Sequence, residues 1–149
     1  MIIPDVQLII HAYRAEAPDH QSCLTWWQSL LSGNDEVGMP DAVLFAFLRI
    51  STNPRIFLSP YSVGEAWTEM QAWLACPCVT RLDGAWLLQQ TVDLLALIGT
   101  GGNLVSDAQI AAAALMNHAT VHTQDADFRK FPGLTHHNPI TGITITNPG

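Results

Sequence analysis

Three features of the chain predict an α/β domain built on a central parallel sheet with helices on both faces. Short apolar runs alternate with amphipathic helical segments, the pattern that folds into strand–helix–strand crossovers. The stretch Asn103–Phe128, NLVSDAQIAAAALMNHATVHTQDADF, holds one such unit complete. The length, 149 residues and 16.3 kDa, suits one domain (residues 1–149) large enough to bury a core without staples, and neither a repeat nor a linker interrupts it.

In chain order, Ile2 and Ile3 form a short buried strand that ends at Pro4-Asp5. Val6 to Arg14 is helical, with Val6, Ile9, Ile10 and Tyr13 on one face. Ala17-Pro18-Asp19 breaks the chain, and His20 to Ser32 forms a second helix turning Leu24, Trp27 and Leu31 inward. Val37 to Met39 is a strand, and Pro40 opens an apolar helix from Asp41 to Ile50, where its fixed φ suits the first turn. Ser62 to Leu74 is amphipathic through Val63, Ala66, Trp67, Met70 and Leu74. Trp26, Trp27 and Trp67 are therefore expected in the core rather than on a base-stacking platform. Cys78 to Leu82 is a strand, and Ala85 to Ile98 a helix closed by Gly99. In the helix from Asp107 to His118, Ile110, Ala111, Ala114 and Leu115 share one face with Asp107. The strand Ala119–Thr123 follows. Leu134 to Asn138 is expected at the sheet edge, and the Thr- and Ile-rich tail from Gly142 as a weak strand or an arm.

Charged residues make up only 13% of the chain, about half the usual share. Apolar surface left after folding predicts a partner or a homo-oligomer. A formal net charge of −7 with six Lys and Arg argues against broad electrostatic binding to nucleic acid, although bound divalent ions would reverse the sign locally. Cys23, Cys76 and Cys78 form no disulfide or zinc pattern; an odd count without a secretory segment predicts a reducing cytoplasm. The apolar start MIIPDVQLII lacks a basic leader and is too short to span a membrane.

The chemistry-bearing residues are acids. Asp5 leaves the first strand, and Asp125 and Asp127 leave the strand Ala119–Thr123. Asp107 begins a helical face that has to be buried. Carboxyl ends of parallel strands are where open α/β sheets build sites. Helix-start acids and an Asp-rich turn explain the same residues without a site. Gathered together, however, these acids repel unless protonated or bridged by cations, and all-oxygen ligation favours Mg²⁺ or Mn²⁺. A carboxylate-held divalent ion, or a pair, suits attack of water on a phosphodiester. No Gly-x-Ser-x-Gly elbow or Cys–His pair offers a nucleophile.

The segments MIIPDVQLIIHAYR, PDAVLFAFLRISTNPRIF, GNLVSDAQIAAAALMNHATVHTQDADF and FPGL, in that order, resemble a PIN-domain ribonuclease of the VapC toxin type, from Ile2 to about Pro139. The resemblance implies a three-layer α/β/α fold, a homodimer, a Mg²⁺- or Mn²⁺-dependent endoribonuclease and an inhibiting VapB-type antitoxin. It also implies that Asp5, Asp107 and Asp125 are the first, third and fourth acids of the family's catalytic, metal-binding quartet. Asp127 matches an auxiliary metal-binding acid, and Thr123 a hydroxyl residue that orients water. The second acid, usually a Glu, falls near Ala46, flanked by Phe45 and Phe47, none of which binds metal. Gln7 stands where a small polar residue is usual. Asp41 either supplies the missing oxygen or, the favoured reading, serves the dipole of its helix.

The six histidines, His11, His20, His118, His122, His136 and His137, are expected to be structural, none pairing with the four candidate acids, and adjacent His136 and His137 to face opposite sides of a strand. Arg14, Arg49 and Arg55 are candidates for phosphate contact or for pairing with acids or the antitoxin. Two functional readings follow: a metal-dependent endoribonuclease toxin, or an inactive PIN-like binding module that dimerises and holds an antitoxin. Phosphatase action on small molecules is disfavoured because Asp5-Val6-Gln7 lacks a second aspartate two residues on.

Overall fold

A computed structural model describes residues 1–149. The strands are β1 (Ile2–Pro4), β2 (Val37–Pro40), β3 (Val79–Leu82), β4 (Thr120–His122), β5 (Thr135–Asn138) and β6 (Ile143–Thr146). The helices are α1 (Val6–Tyr13), α2 (His20–Ser32), α3 (Asp41–Ser51), α4 (Val63–Leu74), α5 (Leu87–Ile98) and α6 (Leu104–Met116), with a 3₁₀ turn at Ala126–Lys130. The sheet runs β3-β2-β1-β4-β5-β6, parallel except for the antiparallel β5–β6 pair, and helices flank it. No helix is long and apolar enough to cross a membrane.

The chain leaves β1 toward β2 and β3 on one side, then returns to place β4 on the other. β1 and β4 thus flank the point where strand order reverses. Ile2, Ile3 and Pro4 lie beside Thr120, Val121 and His122, so both strands end level. A crevice forms at such a point because the connections from neighbouring strands diverge.

Local sequence explains most boundaries. Asp5 caps α1 in extended conformation (φ −75°, ψ 140°). Pro40 ends β2 at φ −66° and ψ 146°, so α3 starts only at Asp41. Ser62 and Glu65 close a reciprocal capping box on α4. Gly99, at φ 81°, ends α5 in the left-handed region that glycine enters without a Cβ penalty.

Four expectations need correction. Helix α6 begins at Leu104, one turn before Asp107, and is buried nearly all round through its run of alanines. In α2 the inward face is Cys23, Trp27 and Leu30, while Leu24 and Leu31 are half-buried. In α4, Val63 and Trp67 are exposed and Trp73 is buried in their stead. Trp73 is drawn in by an aromatic cluster: its ring centroid lies 4.6 Å from Phe47 and 5.3 Å from Trp27, and its indole N–H donates to Tyr13 Oη at 2.9 Å. Finally, β5 is not an edge strand. The tail forms β6 against it, and Asn147 donates to the Phe128 and Phe131 carbonyls at 2.8 and 2.7 Å.

Candidate active site at the carboxyl ends of β1 and β4

Asp5 follows β1 and is almost fully buried, at 5% exposure. Its carboxylate accepts the Thr123 hydroxyl at 2.7 Å and, at the limit of a hydrogen bond, the Gln7 backbone N–H at 3.5 Å. Thr123 follows β4 and is itself buried. Its oxygen also accepts the Asp125 backbone N–H at 2.9 Å. Asp125 caps the 3₁₀ turn by accepting the Asp127 N–H at 2.8 Å. One hydroxyl therefore ties the acid after β1 to the acid-bearing loop after β4.

Asp107 reaches the same place from α6. Carboxylate oxygens of Asp107, Asp125 and Asp127 lie within 4.8 Å of one another. Asp5 is outside that trio but lines the same cleft of about 850 Å³ with Asp107 and Asp125. Burial, followed by the charges of Asp5, Asp125 and Asp127, pushes the Asp107 carboxyl up to about 6. Burial also raises Asp5, against the opposing hydrogen bond from Thr123. Asp127 has one cationic neighbour, Lys130, at 2.6 Å. The donors are all hard oxygens and Lys130 offsets only part of their charge, which fits a divalent cation such as Mg²⁺ or Mn²⁺ rather than zinc.

The remaining candidates divide. Asp41 lines the cleft, but Arg81 engages it through two hydrogen bonds of 2.7 and 3.0 Å. Ala46 lines the cleft and contributes no oxygen. Gln7, Arg14 and Arg49 are on the wall, whereas Arg55 is not among the lining residues. Arg14 is paired with Glu16 at 2.9 Å and lies over Phe57; Arg49 has no acid partner.

One histidine meets an acid outside the cluster. His11 Nδ1 stands 2.9 Å from Asp19 Oδ1, and neither of these buried atoms has another partner. Asp19 is buried enough to push its carboxyl up, yet the Gln124 side chain and His11 hold it below the ordinary range. The pair spans the α1–α2 turn, where no helical or strand period relates the two positions, so only the Asp19 that follows Pro18 was visible. His136 and His137 do alternate on β5, His136 buried and His137 half-buried.

No family model matches the chain. Ribonuclease VapC33 of Mycobacterium tuberculosis is 34% identical over 141 residues, covering 94% of this chain and 99% of that one. Ribonuclease VapC43 of the same organism is 33% identical over 147 residues, covering 97% and 99%. Among solved structures, Mycobacterium tuberculosis VapC20, a toxin that cleaves the sarcin–ricin loop, superposes with a TM-score of 0.67 at 18% identity, covering 86% and 92%. The VapBC2 complex of Rickettsia felis, bound to a promoter DNA fragment, gives 0.64 at 19%, covering 93% and 98%. With the six-stranded sheet and the relatives' near full-length match, the chain belongs to the VapC family of PIN-domain ribonucleases.

Proposed function

We propose that this protein is a toxin endoribonuclease that hydrolyses RNA phosphodiester bonds with Mg²⁺ or Mn²⁺ and is neutralised by a VapB-type antitoxin. The observation that carries the reading is the convergence of Asp107, Asp125 and Asp127 beside buried Asp5, with Asp107 pushed up to about 6 by burial and then by its acidic neighbours. Curated relatives are named ribonucleases, and solved neighbours include toxin–antitoxin complexes. A homodimer acting in the cytoplasm completes the reading; the low charge content and the large exposed side chains Phe45, Trp86, Leu88 and Leu97 support association.

In this reading Asp5, Asp107 and Asp125 are the catalytic acids, and with Asp127 they hold the cation. The cation supplies a Lewis acid that lowers the pKa of water and offsets charge on the phosphate. Thr123 fixes the rotamers on which the site depends, binding Asp5 through its proton and the Asp125 backbone through its lone pair. Arg49, free of any acid, offers charge to the phosphate backbone from α3.

Ala46 favours a second reading, an inactive module that dimerises and binds an antitoxin, because it removes one oxygen ligand from the cleft. A mixed RNA pool incubated with the protein in Mg²⁺, Mn²⁺ or EDTA, beside Asp5→Ala, decides between them. Cleavage that requires both metal and Asp5 establishes the nuclease. Absence of both cleavage and metal binding in folded protein establishes the module.

A further inference from the structure

A second cavity, of about 430 Å³, adjoins the acidic cleft. Its walls come from the end of α1 (Tyr13), the last two turns of α3 (Phe47 and Ser51) and the loop toward α4 (Phe57, Leu58 and Tyr61). Ile10 on α1 and Arg14 at its C-cap line both cavities, so the two meet along this edge of the helix. From Asp5 to Tyr13 the helix advances about 12 Å. A strand with its scissile phosphate at the acids therefore brings a neighbouring nucleotide to the second cavity.

The lining is aromatic but not purely apolar. The Tyr13 ring stands edge-on to Phe47 at 5.7 Å and to Tyr61 at 6.3 Å, and the Arg14 guanidinium lies over Phe57 at 5.5 Å. Ser51 is 6% exposed, and its buried hydroxyl has no partner. The Tyr61 hydroxyl also lacks a protein partner and is open to solvent. Burial, then the charges of Glu69 and Glu65, raises its pKa, so it keeps its proton at neutral pH.

An aliphatic occupant gives these hydroxyls nothing, and a buried hydroxyl left alone carries a desolvation cost. A nucleobase brings a flat face for the rings together with donors and acceptors on its edge. Unstacked bases of single-stranded RNA are recognised by such aromatic side chains and guanidinium planes. The Arg14–Glu16 pair is exposed, where ion pairs hold little energy, so a phosphate takes the guanidinium from Glu16 at low cost.

We propose that this cavity binds one unstacked nucleobase of the RNA strand that lies in the acidic cleft. This rests on the ribonuclease reading and adds to it the part of the substrate that is read.

The experiment couples a blocked cavity to a missing base. The full chain, with Mn²⁺, is assayed on an RNA oligonucleotide that it cuts and on copies with one abasic ribonucleotide at each position around the cut. One stacked base sets the expected loss at about 5- to 100-fold in kcat/KM at a single position of the wild type. Ala15 is exposed at the rim, so Ala15→Trp fills the mouth from outside the core. It should cost a similar factor on intact RNA and lose nothing more at that abasic position. Phe57→Ala should behave in the same way, and Phe57→Trp, which keeps a ring, should recover most of the loss. A 2-aminopurine at that position should change fluorescence on binding to an uncleaving Asp5→Asn protein, and not when Ala15→Trp is added. Mn²⁺ affinity and Tm of each variant separate this from general damage.

Losses that stay multiplicative at every abasic position, or an Ala15→Trp variant as active as wild type, overturn the proposal and leave the nuclease intact. Ala15→Trp that weakens only antitoxin binding gives the cavity to the antitoxin and overturns it too. If the wild type cuts nothing, the nuclease reading fails, and the 2-aminopurine signal with and without Ala15→Trp still decides the cavity. Absence of RNA binding overturns both.

Discussion

The Thr123 hydroxyl donates to Asp5 Oδ2 at 2.7 Å while accepting the Asp125 backbone N–H at 2.9 Å, which couples two acids 120 positions apart in the chain. Removing that hydroxyl leaves Asp5 Oδ2 and the Asp125 backbone N–H without partners. Thr123→Val should therefore cost about 1–3 kcal/mol of stability and lower cleavage by at least about tenfold, since both acids lose their fixed orientation. Thr123→Ser keeps the donor and should retain most activity. Denaturant melts and single-turnover cleavage measure the two effects.

Asp5→Asn separates folding from chemistry. Burial raises the Asp5 carboxyl, so its ionisation costs more in the folded protein than in the unfolded chain. The neutral isostere should melt no lower than wild type in EDTA, and higher by a few degrees if the charge is relieved in full. It should also abolish metal-dependent cleavage. A variant that is both less stable and fully active contradicts the placement of Asp5.

Stability without metal should fall as the pH rises from about 4 to about 6. Asp107 titrates at its ordinary value of 3.8 when unfolded but at about 6 when folded. Between those values the folded state binds more protons than the unfolded state, so the slope of stability against pH is negative. Asp5 contributes with the same sign. Asp107→Asn should flatten this window, and Mn²⁺ should stabilise the wild type more at pH 7 than at pH 5. Thermal melts across the range, with EDTA or Mn²⁺, provide the measurement.

Ala46→Glu should return an oxygen ligand to the cleft wall. Tighter Mn²⁺ binding by calorimetry and faster RNA cleavage are expected, because Ala46 already faces the space bounded by Asp5 and Asp107. Asp41→Ala should leave Mn²⁺ affinity within about twofold, since Arg81 already occupies both of its oxygens.

Much of this molecule was legible in its sequence. Element types and order follow from local periodicity, from Pro40, and from the Ser62 and Gly99 caps. Asp5 and Asp125 were readable as site candidates because each lies just beyond the carboxyl end of a short strand, and Asp107 because it precedes an Ala-rich face. The errors share one cause. Trp67 and Trp73 both fit an amphipathic α4, and only the cluster of Phe47, Trp27 and Tyr13 selects which is buried. The tail Ile143–Thr146 read as either a weak strand or an arm, and the choice of strand came only with β5, because pairing is a property of two segments rather than one.

By itself the sequence determined the α/β class, the alternation of strands and helices, and the four acids, since backbone propensity and hydrophobic period act within a few residues. The tertiary structure alone decided that β4 lies beside β1, that Thr123 links Asp5 to Asp125, that Arg81 takes Asp41, and that Asp19 meets His11. Those relations depend on charge, burial and hydrogen bonding between segments brought together by the fold, and separation along the chain carries no record of them.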